Sequence, residues 1–386
     1  MLGERHSAQH KQTRKEKTRR PHGNARKRNG GHFQRLDGIY RTNRRRRRKL
    51  KGAELMQIIT GESMAEQLNA WNIPCAFSCL TIAPQLIKYN FILKDFTKLQ
   101  KAKRLAENLT AWSGQAATIN TTAGGFAVEL ARTKRQFISL NEYADTLEKA
   151  EPFSLALGTN TNGEHITATL EDLTHLLIAG TTGGGKSVIL NNIIISLTAY
   201  NTPDRLALFL IDAKKVEFKK FEKLPHLRGG IISEPEQAKQ IFLNLIDIMQ
   251  TRYKKLEQIK REKAGALFKK IVVIVDELTD LIQQDASIKP LLARLLQKSR
   301  AAGIHFILAT QSPRANILDG VTLANLPSRL ALKCASVRES VLILGHGGAE
   351  KLNGKGDAIF KPQNTTNETR IQAPHITAEQ IKNIIN

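Results

Sequence analysis

Leu176-Leu177-Ile178-Ala179 runs directly into Gly180-Thr181-Thr182-Gly183-Gly184-Gly185-Lys186-Ser187, and an apolar helical pattern follows over 188–199. A short apolar strand, a glycine-rich loop and a helix in that order leave few folds open. Glycines let backbone N–H groups curl around phosphate oxygens without Cβ clashes, and the helix N-terminus adds positive potential at the same point. Lys186 is then placed to reach the β- and γ-phosphates of ATP. Ser187 supplies a hydroxyl for Mg²⁺, an ion that keeps several waters and borrows phosphate oxygens. Gly180, Thr181, Thr182, Gly183, Gly184, Gly185, Lys186 and Ser187 are therefore the expected ATP-binding residues. The bland alternative, a flexible glycine turn, leaves the flanking strand and helix unexplained.

The apolar runs 175–179, 206–211, 271–275, 304–309 and 330–333 alternate with longer amphipathic stretches. Such continuous runs suit strands buried on both faces. The expected fold class is α/β, a P-loop NTPase with a RecA-like parallel sheet and flanking helices. Ligands bind at the carboxyl edge of such a sheet, where the run 271–275 ends in Asp276-Glu277. Asp276 suits an outer grip on Mg²⁺, so Ser187 and Asp276 are the expected metal residues. Glu277 suits the base that orients and deprotonates the attacking water, which favours hydrolysis over phosphotransfer. The run 304–309 ends in Thr310-Gln311 and puts an amide on the same edge, where it can sense the γ-phosphate or the water. Arg294 and Arg300 lie on a helix expected over 288–302, and taken alone both read as surface cations.

The 386 residues, 41% of them apolar, are enough for two domains with a sizeable core. The formal charge of +24 is uneven, because residues 1–51 carry 19 Lys/Arg against Glu4, Glu16 and Asp37, a net of +16. Such a block cannot bury apolar surface. Residues 1–53 are expected to form a disordered tail drawn to the phosphate backbone of nucleic acid by counterion release. A solvating tail, a localisation signal and an anchor to anionic lipid stay open for the run Arg44 to Arg48. Residues 54–150 read as a small α+β domain, with helical spacing over 62–68 and 98–112 and strand patterns over 75–93, 115–119 and 125–130. The stretch 152–164, rich in Gly, Asn and Thr, has the composition of a connector into a motor domain spanning 151–386. Cys75, Cys79 and Cys334 lack a zinc-type partner set and suit small buried hydrophobes in a reducing compartment. No apolar stretch approaches the ~20 residues needed to cross a bilayer, and the basic N-terminus lacks a signal-peptide core, so a soluble cytoplasmic protein is expected.

Together, the segment from Leu176 to Ser187, Val273-Ile274-Val275-Asp276-Glu277 and Arg300-Ala301-Ala302-Gly303-Ile304-His305-Phe306-Ile307-Leu308-Ala309-Thr310-Gln311 resemble the FtsK/SpoIIIE family of DNA translocases. The likeness continues through Arg252-Tyr253, Ala324-Asn325-Leu326-Pro327-Ser328-Arg329 and the closing run from Gly348 to Asp357. The small domain resembles the one that precedes the ATPase in this family, particularly at Glu66-Gln67-Leu68 and Lys134-Arg135-Gln136, so the resemblance covers most of the chain after the tail. It implies a ring, usually hexameric, around double-stranded DNA that converts hydrolysis into directional movement. It also implies that Arg300 completes a neighbour's ATP site in trans, that Gln311 is the polar sensor, and that 312–325 face DNA in the central channel. The expected catalytic set is Lys186, Glu277, Arg300 and Gln311.

The family's chromosomal members differ in having a membrane-spanning N-terminus, a C-terminal winged-helix region and a much longer connector than 254–270. Val341 stands where the family usually shows Arg after an Asp-Ser pair, which speaks against chromosome-dimer resolution. A plasmid, phage or integrative element that moves or processes its own DNA suits the compact form. The rival readings are a conjugative coupling or packaging ATPase that works with a membrane channel, and a DNA-coating protein that uses ATP only as a switch. A small-molecule kinase would need neither the tail nor the extended likeness.

Overall fold

The computed structural model describes residues 59–385, except 133–135, 266, 364 and 366. The basic tail expected over 1–53, and Lys134 and Arg135, lie outside the described residues. Among the described residues no helix is long and apolar enough to cross a membrane.

A four-stranded antiparallel sheet comes first, formed by β1 (Cys75–Ile82), β2 (Leu86–Leu93), β3 (Ala117–Thr122) and β4 (Gly125–Ala131) in the order β1-β2-β4-β3. The helix Gly61–Ala70 covers it, started by the Thr60 side chain, which accepts from the Ser63 N–H. Met64, Leu68, Tyr89 and Val128 close the core between them, and Phe91 stacks on Phe126 at 5.5 Å. The helix expected over 98–112 is divided at Arg104-Leu105 into Leu99–Lys103 and Ala106–Ser113. Cys75 and Cys334 are buried as expected, but Cys79 is exposed, because β1 bulges between Phe77 and Cys79 and breaks the alternation there.

The second sheet has ten strands: β5 (Ser154–Asn160), β6 (His165–Thr169), β7 (Leu176–Ala179), β8 (Leu206–Ile211), β9 (Leu227–Ile232), β10 (Lys270–Val275), β11 (Ile304–Thr310), β12 (Ser328–Leu332), β13 (Asp357–Lys361) and β14 (Thr369–Gln372). Their order is β6-β5-β14-β13-β12-β7-β11-β10-β8-β9. From β12 to β9 every pairing is parallel, and from β12 to β6 every pairing is antiparallel. The five apolar runs read from sequence are parallel strands of this sheet. The stretch 152–164 is not a connector, since β5 is buried along its length and pairs with both β6 and β14.

Alternation within the parallel strands sends residues to two cores. Leu176, Ile178, Val272 and Ile274 face one, and Leu177, Ala179, Val273 and Val275 face the other. The helix Lys186–Tyr200 fills the first core through Ile189, Leu190 and Ile193, and so carries apolar residues almost all round. Pro235–Gln258 and Ile288–Lys298 cover the second face through Phe242, Leu245, Met249, Leu292 and Leu295. Each such buried side chain contributes about 1.5–3 kcal/mol. Leu140, Tyr143 and Leu147 belong to the first core as well, and the Tyr143 hydroxyl lies 2.6 Å from Thr159 Oγ1.

His175 and His305 are buried near the amino edge of the parallel strands. His175 Nε2 donates to Leu296 O at 3.1 Å, and its Nδ1 accepts from the Phe306 N–H at 3.0 Å. His305 Nδ1 donates to Thr174 O at 2.9 Å, while its Nε2 has no hydrogen-bond partner among the described residues. Burial holds both rings neutral and pushes His175 down to about 3 and His305 down to about 4. In the unfolded chain both titrate near the ordinary value of about 6.5, so the unfolded state binds more protons as pH falls from there toward 4. Stability is therefore fully present above pH ~6.5 and lost below it, at about 1.4 kcal/mol per pH unit per ring. Urea unfolding at pH 7 and pH 5.5 should differ by about 3 kcal/mol. Equal stability at the two pH values would show that the rings are not held neutral by the fold.

Candidate functional site

β7 delivers the chain to the carboxyl edge of the sheet, and residues 180–187 turn there into the helix that begins at Lys186. The neighbouring strands pin the entrance: Gly180 N–H donates to Thr310 O at 3.2 Å and Thr181 N–H to Lys333 O at 2.8 Å. Gly185 has no room for a side chain, since at φ 112° its Cβ would lie 2.4 Å from Gly356 N. That contact belongs to a second wall, in which Lys355 N–H donates to Gly183 O at 3.1 Å and Gly356 N–H to Gly184 O at 2.6 Å. Asp357 holds this wall. Fully buried, it accepts from Asn353 N–H at 2.8 Å and takes Arg370 Nε at 3.0 Å and Nη2 at 2.8 Å. Arg370 Nη1 in turn lies 3.7 Å from Glu129 Oε2 on β4.

Lys186 is buried and paired with Asp276, its Nζ lying 2.6 Å from both the backbone carbonyl and Oδ1 of that residue. Glu277 Oε2 lies further off, at 3.9 Å. Both oxygens of Glu277 are held by the end of β11: Thr310 Oγ1 donates to Oε1 at 2.5 Å and Gln311 N–H to Oε2 at 2.8 Å. Burial raises the proton affinity of both carboxylates, opposed at Asp276 by Lys186 and at Glu277 by the two hydrogen bonds. A carboxylate with raised affinity, fixed near a phosphate cradle, is equipped to take a proton. Thr182 Oγ1 donates to Gln311 Oε1 at 2.6 Å and ties that amide to the glycine loop.

The structure thus brings the glycine loop, Lys186, Ser187, Asp276, Glu277 and Gln311 together. Arg300 is elsewhere: it is exposed at the amino edge of β11, where its Nη2 donates to Glu171 O at 3.1 Å. Arg294 is exposed on the helix Ile288–Lys298. Arg252 and Tyr253 serve as braces, the first through Ala302 O and Lys269 O and the second through Lys298 O.

Glu217 was missed from sequence. It accepts from the Ser187 hydroxyl at 2.7 Å, and buried Asp212 positions it by accepting from the N–H groups of Glu217 and Phe218 at 2.8 and 3.1 Å. Asp212 directly follows β8 at the ligand-binding edge, and that was the available signal. The Ser187 hydroxyl and the Glu217 carboxylate are oxygen donors of the kind a hard cation such as Mg²⁺ takes, although among the described residues no group of three or more His, Cys, Asp and Glu is placed to hold a metal ion. A cavity of about 430 Å³ opens along the loop, lined by Thr181, Thr182, Gly183, Gly185, Lys186, Ser187 and Val188 together with Glu217, Gln311, Lys355, Ala373, His375 and Phe137.

A phosphate cradle at the carboxyl edge of a parallel sheet, with a held glutamate beside it, defines the class: this is a P-loop NTPase fold. Residues 140–266 and 259–315 match the FtsK/SpoIIIE family model. Over those residues the chain is similar to that family. It is 31% identical over 353 residues to the DNA translocase FtsK of Corynebacterium efficiens and 33% identical over 349 residues to that of Halalkalibacterium halodurans, with 84% of this chain covered in each case. It spans only 37% and 44% of those two relatives' lengths. Among solved structures, the pCW3 conjugation coupling protein TcpA, in its monomer form with ATPγS, shares the fold. Its TM-score is 0.58 and its identity 22%, over 83% of this chain and 97% of that one.

Asp357→Asn should loosen the wall behind the glycine loop, because it leaves Arg370 half-buried without its full counter-charge. The expected loss is about 3 kcal/mol of unfolding free energy, accompanied by weaker ATP binding. Thermal melts and equilibrium nucleotide binding read the two effects, and unchanged affinity would sever the wall from the loop.

Proposed function

We propose that the chain is an ATP-driven motor that moves along double-stranded DNA. The observation that carries the reading is Glu277, fixed by Thr310 and Gln311 on the strand next to the phosphate loop. A triphosphate seated on residues 180–187 draws Lys186 from Asp276 to its β- and γ-oxygens. Ser187, Asp276 and Glu217 hold Mg²⁺, which neutralises charge on the phosphates when bound. Glu277 orients the attacking water and takes its proton, and Gln311, bonded to both Glu277 and Thr182, links the terminal phosphate to the segment that follows.

That segment, 312–325, is the DNA-facing part of the motor in this reading. Lys289 holds it through Asn316 O and Asp319, both at 2.7 Å, and Arg314 is exposed on it. The basic tail adds phosphate contacts that raise affinity without reading bases. The chains assemble as a ring, a hexamer in the family's usual form, in which Arg300 reaches the neighbour's site. The motor works in the cytoplasm, where its ATP is supplied. The strength of the match to the FtsK relatives supports duplex DNA as the track.

The test is ATP hydrolysis by wild type and Glu277→Gln, with and without linear duplex DNA, at two salt concentrations because phosphate contacts are salt-sensitive. Duplex should stimulate the wild type, more strongly at low salt. Loss of the base should lower kcat by about 10²–10⁴-fold while ATP still binds. DNA binding with no change in turnover would make ATP a switch and defeat the motor reading.

A further inference from the structure

The cavity beside the glycine loop has walls that the loop itself does not supply. Gln311 and Lys186, tied to Glu277 and Asp276, mark the end for the terminal phosphate. Val188, the residue after Ser187 in the helix, lines the same cavity, as do Ala373, His375 and Phe137 from outside the loop. The Phe137 and His375 rings lie 5.5 Å apart, with 53° between their planes.

Phe137 is 55% exposed although it is a large apolar side chain, so its position does not follow from burial in the core. Both rings are carried on fixed backbone. His375 N–H donates to Ile138 O at 2.7 Å, Leu140 N–H donates to His375 O at 3.1 Å, and Ser139 bridges to His375 in parallel. Ala373 N–H is likewise used, by Gly356 O at 2.8 Å. The backbone groups of this wall are bonded to one another, which leaves ring faces and a methyl group to meet a ligand.

We propose that Phe137 and His375 form the seat of the purine base of the bound nucleotide, recognising it by stacking and not by its edge. The proposal rests on residues 180–187 being a triphosphate cradle, and it adds a specificity subsite drawn from two segments outside the loop. Phe137 comes from the segment that joins the small sheet to the motor, and His375 from the segment before the last helix, Ala378–Ile385. Stacking of a base on an aromatic side chain contributes about 1–3 kcal/mol, which is roughly 5- to 150-fold in affinity.

The test is equilibrium binding of a fluorescent ATP analogue to the full chain, competed with ATP and, separately, with inorganic tripolyphosphate. Phe137→Ala should weaken ATP by about tenfold and leave tripolyphosphate unchanged, because the latter has no base. Phe137→Tyr should restore ATP affinity to within about twofold, since it keeps the ring face. Unchanged ATP affinity in Phe137→Ala would overturn the seat. So would equal weakening of ATP and tripolyphosphate, which would place the effect in the loop. A wild type that binds neither compound would instead sink the cradle on which the seat depends.

Discussion

Lys186 carries an ammonium into a site where its side chain is 3% exposed, and a charge so placed loses several kcal/mol of hydration unless an opposite charge meets it. Asp276 meets it with both a carboxylate and a backbone carbonyl. The pairing works only because the sheet order puts β11 between β7 and β10 and so aligns three carboxyl ends within reach of one side chain. Burial raises the proton affinity of Asp276 and Lys186 lowers it again, so the site is held between two opposed demands. Phosphate oxygens can replace Asp276 as the partner of Lys186, which makes this ion pair a contact that a bound nucleotide would take over.

The parts of this arrangement that are local in sequence were legible. The glycine loop, the strand ending in Asp276-Glu277 and the strand ending in Thr310-Gln311 each carry their chemistry within a dozen residues, and strands buried on both faces announce themselves as unbroken apolar runs. What escaped is non-local or interrupted. β5 ends in Gly158-Thr159-Asn160 and so reads as a connector, and β9, which contains Gly229-Gly230, shows no continuous apolar run, although pairing on the sheet defines both. Glu217 depends on the turn that Asp212 caps, and a Glu six residues past the end of β8 is marked only through Asp212 at the strand end. Asp357 and Arg370 look like unrelated surface charges until the β13–β14 pairing brings them together.

Arg300 illustrates how much an edge decides. It precedes β11, whereas Gln311 follows it, and the 7 residues of that strand separate the two by about 23 Å. A strand inside a packed parallel sheet does not shorten, so Arg300 has no route to the phosphate loop of its own chain. Any contribution it makes to hydrolysis must be made at a neighbour's site. Its hydrogen bond to the Glu171 carbonyl holds it at that edge, exposed, and a trans role would require a subunit boundary there.

The line from Glu129 through Arg370 and Asp357 to Gly356 and Gly184 crosses from the small sheet to the phosphate loop. Its links are unequal. The Arg370–Asp357 pair is bidentate and its carboxylate is fully buried, so it behaves as one rigid unit, whereas the 3.7 Å approach of Glu129 is the longest contact in the series. Displacement of the small sheet would therefore act first at Glu129, changing the electrostatic surroundings of Arg370 before disturbing the wall itself. Two hydrogen bonds from that wall set the curl of the glycine loop, and a loop with no room for a Cβ at Gly185 has little freedom to follow. The tight packing that makes the loop a good cradle thus also shields its curl from small movements at Glu129.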